Sequence, residues 1–269
     1  MRHKLDEELA TWRSRQLEIA YPYLIVDAHY EYVREDGQVE SDGVLLVKGT
    51  RADGYREILS VFVAPTEEEA TWNDVFMDLL DRGMDAEAVE CITSDEHKGL
   101  RKSMRRYFPK AIWQRCQTHY QRNAAGKVPA KAREEVHAGL RDVFNAPDET
   151  LAWQRARRLM EGWRSRLPEL VEWLEETLHD TLAVFSLPKE HRTRMRTNNG
   201  LERFHEEIRR RSRVVRIFPN RMSCLHLCTA LSMEQSEEWI TGHRYLDMEV
   251  LEEKQPELIE LSKQEAVLA

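Results

Sequence analysis

Two aspartates stand where apolar strands would not ordinarily place them. Asp27 lies inside YLIVDAHYEYVRED, directly after Leu24, Ile25 and Val26. Aspartate is disfavoured within strands, and a carboxylate beside an apolar core is costly unless it is paired or binds a metal. Asp95 follows the run AVECITS, and the C-terminal ends of strands in open α/β sheets are where ligands bind. If the two strands are neighbours, the carboxylates converge on one site. Taken singly, Asp27 also reads as a strand-edge residue, Asp95 as a helix N-cap, and Glu202 as an ordinary helix-surface acid. Cys116-Gln117-Thr118-His119 has zinc-like Cys-x-x-His spacing, but a zinc site needs further ligands, for which His191, Cys224 and Cys228 are the candidates. Cys224 and Cys228 stand four apart among Leu225, Leu227 and Leu231 and read as core. Zinc is therefore not expected. His29 lies on the same strand face as Asp27 and reads as a packed histidine.

The elements that must position these residues follow from periodicity. Residues 4–19 predict a helix stopped by Pro22. YLIVDAHYEYVRED and residues 44–51 and 55–64 predict three strands joined by turns at Asp36-Gly37 and Asp53-Gly54. Thr66 predicts an N-cap for a helix running to about Asp81, with acids in its first turn. A fourth strand is predicted over 88–93, a helix over 96–107 and a short fifth strand at AIWQRC. From His119 to about 187 the pattern is helical, broken at Pro129, Pro147 and Pro168. Thr197-Asn198-Asn199 caps a further helix, GLERFHEEIRRR, and 222–240 predicts another. Three hairpin-linked strands followed by strands connected through helices make a mixed α/β sheet.

The chain has 269 residues and a net charge of −8, which at first argues against a polyanionic partner. The charge is unevenly spread. Residues 1–100 carry 10 basic and 23 acidic side chains, and residues 222–269 carry 3 and 10. Residues 101–135 carry 10 basic and 2 acidic, and residues 192–221 carry 10 and 3. Binding to nucleic acid depends on local potential rather than the total. No run approaches the roughly 18 apolar residues of a membrane helix. MRHKLDEELATW is no signal peptide. Four cysteines in a chain this long are no disulfide framework, so a reducing cytoplasm is expected.

Four segments in order, YPYLIVDAHYEYVREDG, ITSDEHKGL, WQRCQTHYQRN and TNNGLERFHEEIRRRSRVVRIFPN, resemble the transposases of the prokaryotic Mutator family of insertion sequences. The resemblance covers Tyr21 to about Tyr245. It implies a DDE recombinase with a ribonuclease-H-like core interrupted by an all-helical insertion. Carried over motif by motif, it assigns Asp27, Asp95 and Glu202 as the catalytic, metal-holding acids. Two Mg²⁺ or Mn²⁺ ions ~3.5–4 Å apart would serve an in-line phosphoryl transfer. Oxygen ligands suit such hard ions. Cys116 and His119 match the family's C/D(2)H signature, read as structural. Arg203, Arg209, Arg210, Arg211 and Arg213, with Arg115 and Arg122, are the candidate DNA contacts.

The same resemblance predicts a division of the chain. Residues 1–20 would be a linker helix, 21–121 and 196–245 the catalytic core, 122–195 the helical insertion and 246–269 an acidic, frayed tail. Trp153, Trp163 and Trp173 recur at ten-residue steps in the insertion and read as aromatic core. Alternatively one of them, Trp153 or Trp163 first, stacks on a displaced base. The implied activity is metal-dependent cleavage and strand transfer at insertion-sequence ends. Double-stranded transposon and target DNA and a second copy of the chain are the implied partners, with neither membrane nor nucleotide cofactor. Family members usually carry an N-terminal DNA-binding region, and nothing of that kind fits in 1–20. The chain is therefore expected to have little specificity for terminal repeats. The rival expectations are an inactive or regulatory remnant and a related nuclease or resolvase.

Overall fold

The structure, a computed structural model, describes residues 2–251. Its centre is a five-stranded mixed sheet. β1 (Tyr23–Glu35), β2 (Gln38–Thr50) and β3 (Arg56–Ala64) form an antiparallel meander, and β4 (Cys91–Ser94) and β5 (Ile112–Arg115) extend it in parallel, in the order β3-β2-β1-β4-β5. This is the mixed α/β sheet that the sequence predicts, consistent with the ribonuclease-H-like core that the resemblance implied. The β1–β2 turn places Asp36 at φ 48° and Gly37 at φ 82°, the pair of positive values that a two-residue hairpin matching strand twist demands.

Ten α-helices are described: α1 (Arg2–Arg13), α2 (Glu69–Asp81), α3 (Lys98–Tyr107), α4 (Gln117–Gly126), α5 (Arg133–Phe144), α6 (Glu149–Trp163), α7 (Pro168–Thr177), α8 (Lys189–Met195), α9 (Asn199–Val215) and α10 (Arg221–Thr241). Alternation along the strands sends their side chains into two cores. Leu24, Val26, Leu45 and Val47 join Trp72, Phe76 and Leu79 of α2 and Leu100 and Met104 of α3. Tyr23, Ile25, Val44 and Leu46 face the other way, onto Leu201, Phe204 and Ile208 of α9, Cys224 and Cys228 of α10, and the apolar side of helices α4 to α8.

Several boundaries differ from the sequence expectation. α1 ends at Arg13 rather than near 19, because the chain then crosses to α2, where Leu17 N donates to Arg82 O at 2.7 Å and the Leu17 side chain is buried. α2 begins at Glu69 with Glu68, not Thr66, at the cap and no side-chain capping bond. Its start is set by packing: a Cβ on Gly99 of α3 would fall 2.6 Å from Glu69 N. Ala86–Ala88 is a 3-10 turn, so β4 starts at Cys91. The helical stretch after 119 ends in two 3-10 turns, Leu178–Thr181 and Ala183–Ser186. Of the tail expected over 246–269, residues 252–269 lie outside the described residues. Leu246, Met248 and Leu251 are buried, and His191 Nε2 lies 2.7 Å from Asp247 O, so residues 246–251 are packed rather than frayed.

Candidate active site

β4 is short, and that opens the site. Its pairing with β1 ends at Ile25 opposite Thr93. From there that edge of β1 is unpaired until Phe218 bridges Val33, and Asp27 and Asp95 each follow two residues after the last position paired between β1 and β4. The Thr93 hydroxyl donates to Met195 O at 2.6 Å, tying the end of β4 to the end of α8. Asp95 caps no helix: His97 occupies the N-cap of α3 and accepts from Leu100 N, while the Asp95 carboxylate accepts from Glu96 N at 2.7 Å. Beside it, Trp113 Nε1 donates to Ser94 Oγ at 2.9 Å, and Ser94 Oγ donates to Asp95 O.

α9 lies over the exposed stretch of β1. Leu201, Phe204, His205, Ile208 and Ser212 are its buried residues, the spacing of one helical face. Glu202 is in its first turn. One turn further on, His205 Nδ1 sits 3.2 Å from Asp27 Oδ2. The third acid is thus carried by the same helix turn that touches the first.

Two distant sequence motifs set the start of α9. Cys116 Sγ donates to Asn198 Oδ1 at 2.9 Å, Gln117 N to Arg196 O at 3.0 Å, and Thr118 Oγ1 to Asn199 Oδ1 at 3.0 Å. His119 Nε2 then lies 3.3 Å from Glu202 Oε1, with Arg122 at 3.8 Å from the same oxygen. Burial pushes the Cys116 thiol up to about 11, so it is a neutral donor. Cys116 and His119 serve different partners, one holding the cap residue and the other the acid. Neither Cys224 nor Cys228 joins them: both are in the core.

His205 was not singled out from the sequence. Its signal was there, an i+3 neighbour of Glu202 on the apolar face. His29 packs against it with ring centroids 4.4 Å apart, and burial pulls His29 down to about 4. His29 Nε2 is 3.4 Å from Glu31 Oε1, which accepts from Ser212 Oγ at 3.0 Å. A buried polar row therefore runs from Asp27 along β1 beneath α9.

The expected DNA contacts divide. Arg122, Arg203, Arg209, Arg210, Arg211 and Arg213 are exposed. Arg210 and Arg211 both bind Glu207, at 2.7 and 3.0 Å, and hold its carboxyl down to about 2. Arg115 departs from expectation: it is 1% exposed, paired to Glu96, and lies over the rings of Tyr120 and Trp173. Its charge is already met by Glu96 and its faces are covered by the two rings, so it is not a free phosphate ligand. Trp163 is also buried, with Nε1 donating to Glu135 at 2.9 Å, while Trp153 is half-buried. Among the described residues, no three His, Cys, Asp or Glu side chains stand together closely enough to hold a metal ion, and Glu202 is turned onto His119 and Arg122.

The chain is similar to known proteins over most of its length. It is 44% identical over 245 residues to the transposase of insertion sequence element IS406 from Burkholderia multivorans, covering 91% of this chain and 62% of that protein. It is 42% identical over 250 residues to the transposase of ISRM5 from Rhizobium meliloti, covering 93% and 62%. The chain thus spans about three-fifths of these curated relatives. A Drosophila P element transposase strand transfer complex aligns over 91% of this chain and 74% of that one, at 12% identity and a TM-score of 0.29, too loose a likeness to argue from. The profile of the Mutator-family transposases matches residues 1–242, and the chain belongs to that family.

Proposed function

We propose that this chain is the catalytic part of a DDE transposase, which cleaves DNA and joins strands at insertion-sequence ends with divalent metal ions. The observation that carries the proposal is the shared helix turn: α9 presents Glu202 and, through His205, grips Asp27, and Asp27 and Asp95 each come two residues after the last pairing of the parallel strands β1 and β4. The donor set fits a hard divalent ion. Mg²⁺ takes one or two carboxylates and completes its shell with water and phosphate oxygens, so Asp27 and Asp95 would be its first protein ligands, and Glu202 would join on leaving His119. Such ions would activate the attacking oxygen and stabilise the leaving one. His205 orients the Asp27 carboxylate, as hydrogen-bonded neighbours of metal ligands generally do. His119 and Arg122 hold Glu202 in place. Arg203, Arg209 and Arg213 would hold the strand by its phosphates, and a second copy of the chain would serve the opposite end.

Strand transfer with pre-cut oligonucleotide ends in Mg²⁺ or Mn²⁺ tests this. Asp27→Ala, Asp95→Ala and Glu202→Ala should each abolish joining while leaving the fold intact by circular dichroism. Joining at the wild-type rate by any of the three would remove that residue from the site.

A further inference from the structure

Lys48 is a buried cation without a counterion. It lies on β2, its residue is wholly inaccessible, and its Nζ has no hydrogen-bond partner. A β-bulge stands beside it, since Val47 pairs with Ser60 and Lys48 with Ile58, leaving Leu59 extra. Bulges re-aim side chains next to functional sites. Here the ammonium is aimed at the start of α9: a Cβ on Gly200 would fall 3.1 Å from Nζ, the only heavy atom it would meet.

Two more cations collect at the same place. Arg56 and Arg194 lie 4.3 and 5.1 Å from the centroid of the Tyr245 ring, and Lys48 lies 5.1 Å from it. Arg56 also covers Trp239 at 4.4 Å. Arg56 hydrogen-bonds Tyr245 and feels Glu238 at longer range. None of the three forms an ion pair with a carboxylate among the described residues. Burial, with Arg56 and Arg194 close by, pulls Lys48 down to about 7. Aromatic faces soften this crowding of like charge but do not neutralise it.

The helix above them has no side-chain cap. Asn198 makes no side-chain bond to the α9 amides, its Oδ1 being taken by Cys116, although its backbone carbonyl accepts from Leu201 N and Glu202 N. Among the described residues, the Asn199 and Gly200 amides at the N-terminus of this 17-residue helix are left open, at the positive end of its dipole. Open helix amides with cations around them bind phosphate groups.

We propose that the first turn of α9, with Lys48 beneath it and Arg194 and Arg56 at its side, is a subsite for one phosphodiester of a bound DNA strand. This rests on the reading of the chain as a DNA-handling enzyme and extends it, because the subsite is two residues from Glu202. The phosphate is held where the third acid leaves the helix. An anion there also supplies the counterion that Lys48 lacks.

The test is a salt titration of binding to a fluorescein-labelled DNA duplex in metal-free buffer, comparing wild type with Lys48→Met and Arg194→Ala. Each lost phosphate contact lowers the slope of log K against log salt by about 0.9. The expected result is a slope smaller by about that amount in each variant. Inorganic phosphate should raise the melting temperature of wild type more than that of either variant. Arg194 is exposed, so Arg194→Ala remains a valid arm if Lys48→Met alters the fold. A folded Arg194→Ala with the wild-type slope overturns the subsite. A phosphate effect without a slope change also overturns it as a DNA contact, leaving a site for free phosphate only. Asp27→Ala, scored for cleavage alone, tests the catalytic reading separately from this one.

Discussion

The two faces of the sheet are built differently. The face under α2 and α3 is closed by rings and aliphatics: Trp72 stacks on Phe76 at 6.0 Å and Phe76 meets Phe108 edge-on at 5.2 Å. The face under α9 is interrupted by Asp27, His29, Glu31 and Lys48, all on strands and all buried or nearly so. A core of the first kind gains its free energy from burial alone. The second kind gives some of that up, because each buried polar group needs a partner to offset its lost hydration. The difference teaches where stability is given up for polar groups: α9 is both a packing helix and the carrier of the proposed site.

The contrast can be broken at three points. Trp72→Ala on the closed face should destabilise by about 3–5 kcal/mol, read by urea unfolding. A much smaller loss would mean that the α2–α3 face is not the main store of stability. On the other face, His205→Phe keeps the volume but removes the contact to Asp27. It should reduce strand transfer and the affinity for Mn²⁺, followed by electron paramagnetic resonance, by about 10–100-fold, with the urea midpoint little moved. Unchanged Mn²⁺ affinity would leave His205 as packing alone. The smallest effect concerns Lys48, whose lowered pKa of about 7 makes stability depend on pH. Between pH 7 and its unfolded value near 10.5, unfolding takes up a proton, so wild-type stability rises with pH across that window. Lys48→Met should therefore be more stable than wild type by ~2 kcal/mol below pH 7, an advantage that fades toward pH 10. A pH-independent difference would show that Lys48 keeps its charge.

Much of the fold was legible. The Asp-Gly turns demand hairpins, alternation along YLIVDAHYEYVRED with the strands 44–51 and 55–64 demands a meander, and Pro-broken helical periods mark the block after 119. Less legible were the ends of elements. Thr66 has the chemistry of a cap, yet the close approach of Gly99 starts α2 two residues later. Arg115 reads as a phosphate contact because it lies in a basic segment. It is buried because Tyr120 and Trp173, 53 positions apart in the chain, stack at 4.5 Å and offer it their faces. Charge counted along a segment does not say which way a side chain points.

The site shows the same division. By itself the sequence determined that Asp27 and Asp95 stand out on their strands, together with the Cys-x-x-His and Thr-Asn-Asn segments and the arginine-rich helix, because residue type and local spacing are written in the chain; Glu202 stood out only through the family resemblance. Tertiary structure alone decided that Cys116 holds Asn198, that His119 and Arg122 hold Glu202, that His205 holds Asp27, and that Lys48 lies beneath Gly200. Each of these contacts joins residues about 80 to 180 positions apart. A contact of that kind forms only when two packed faces bring their backbones together, and local periodicity carries no information about it.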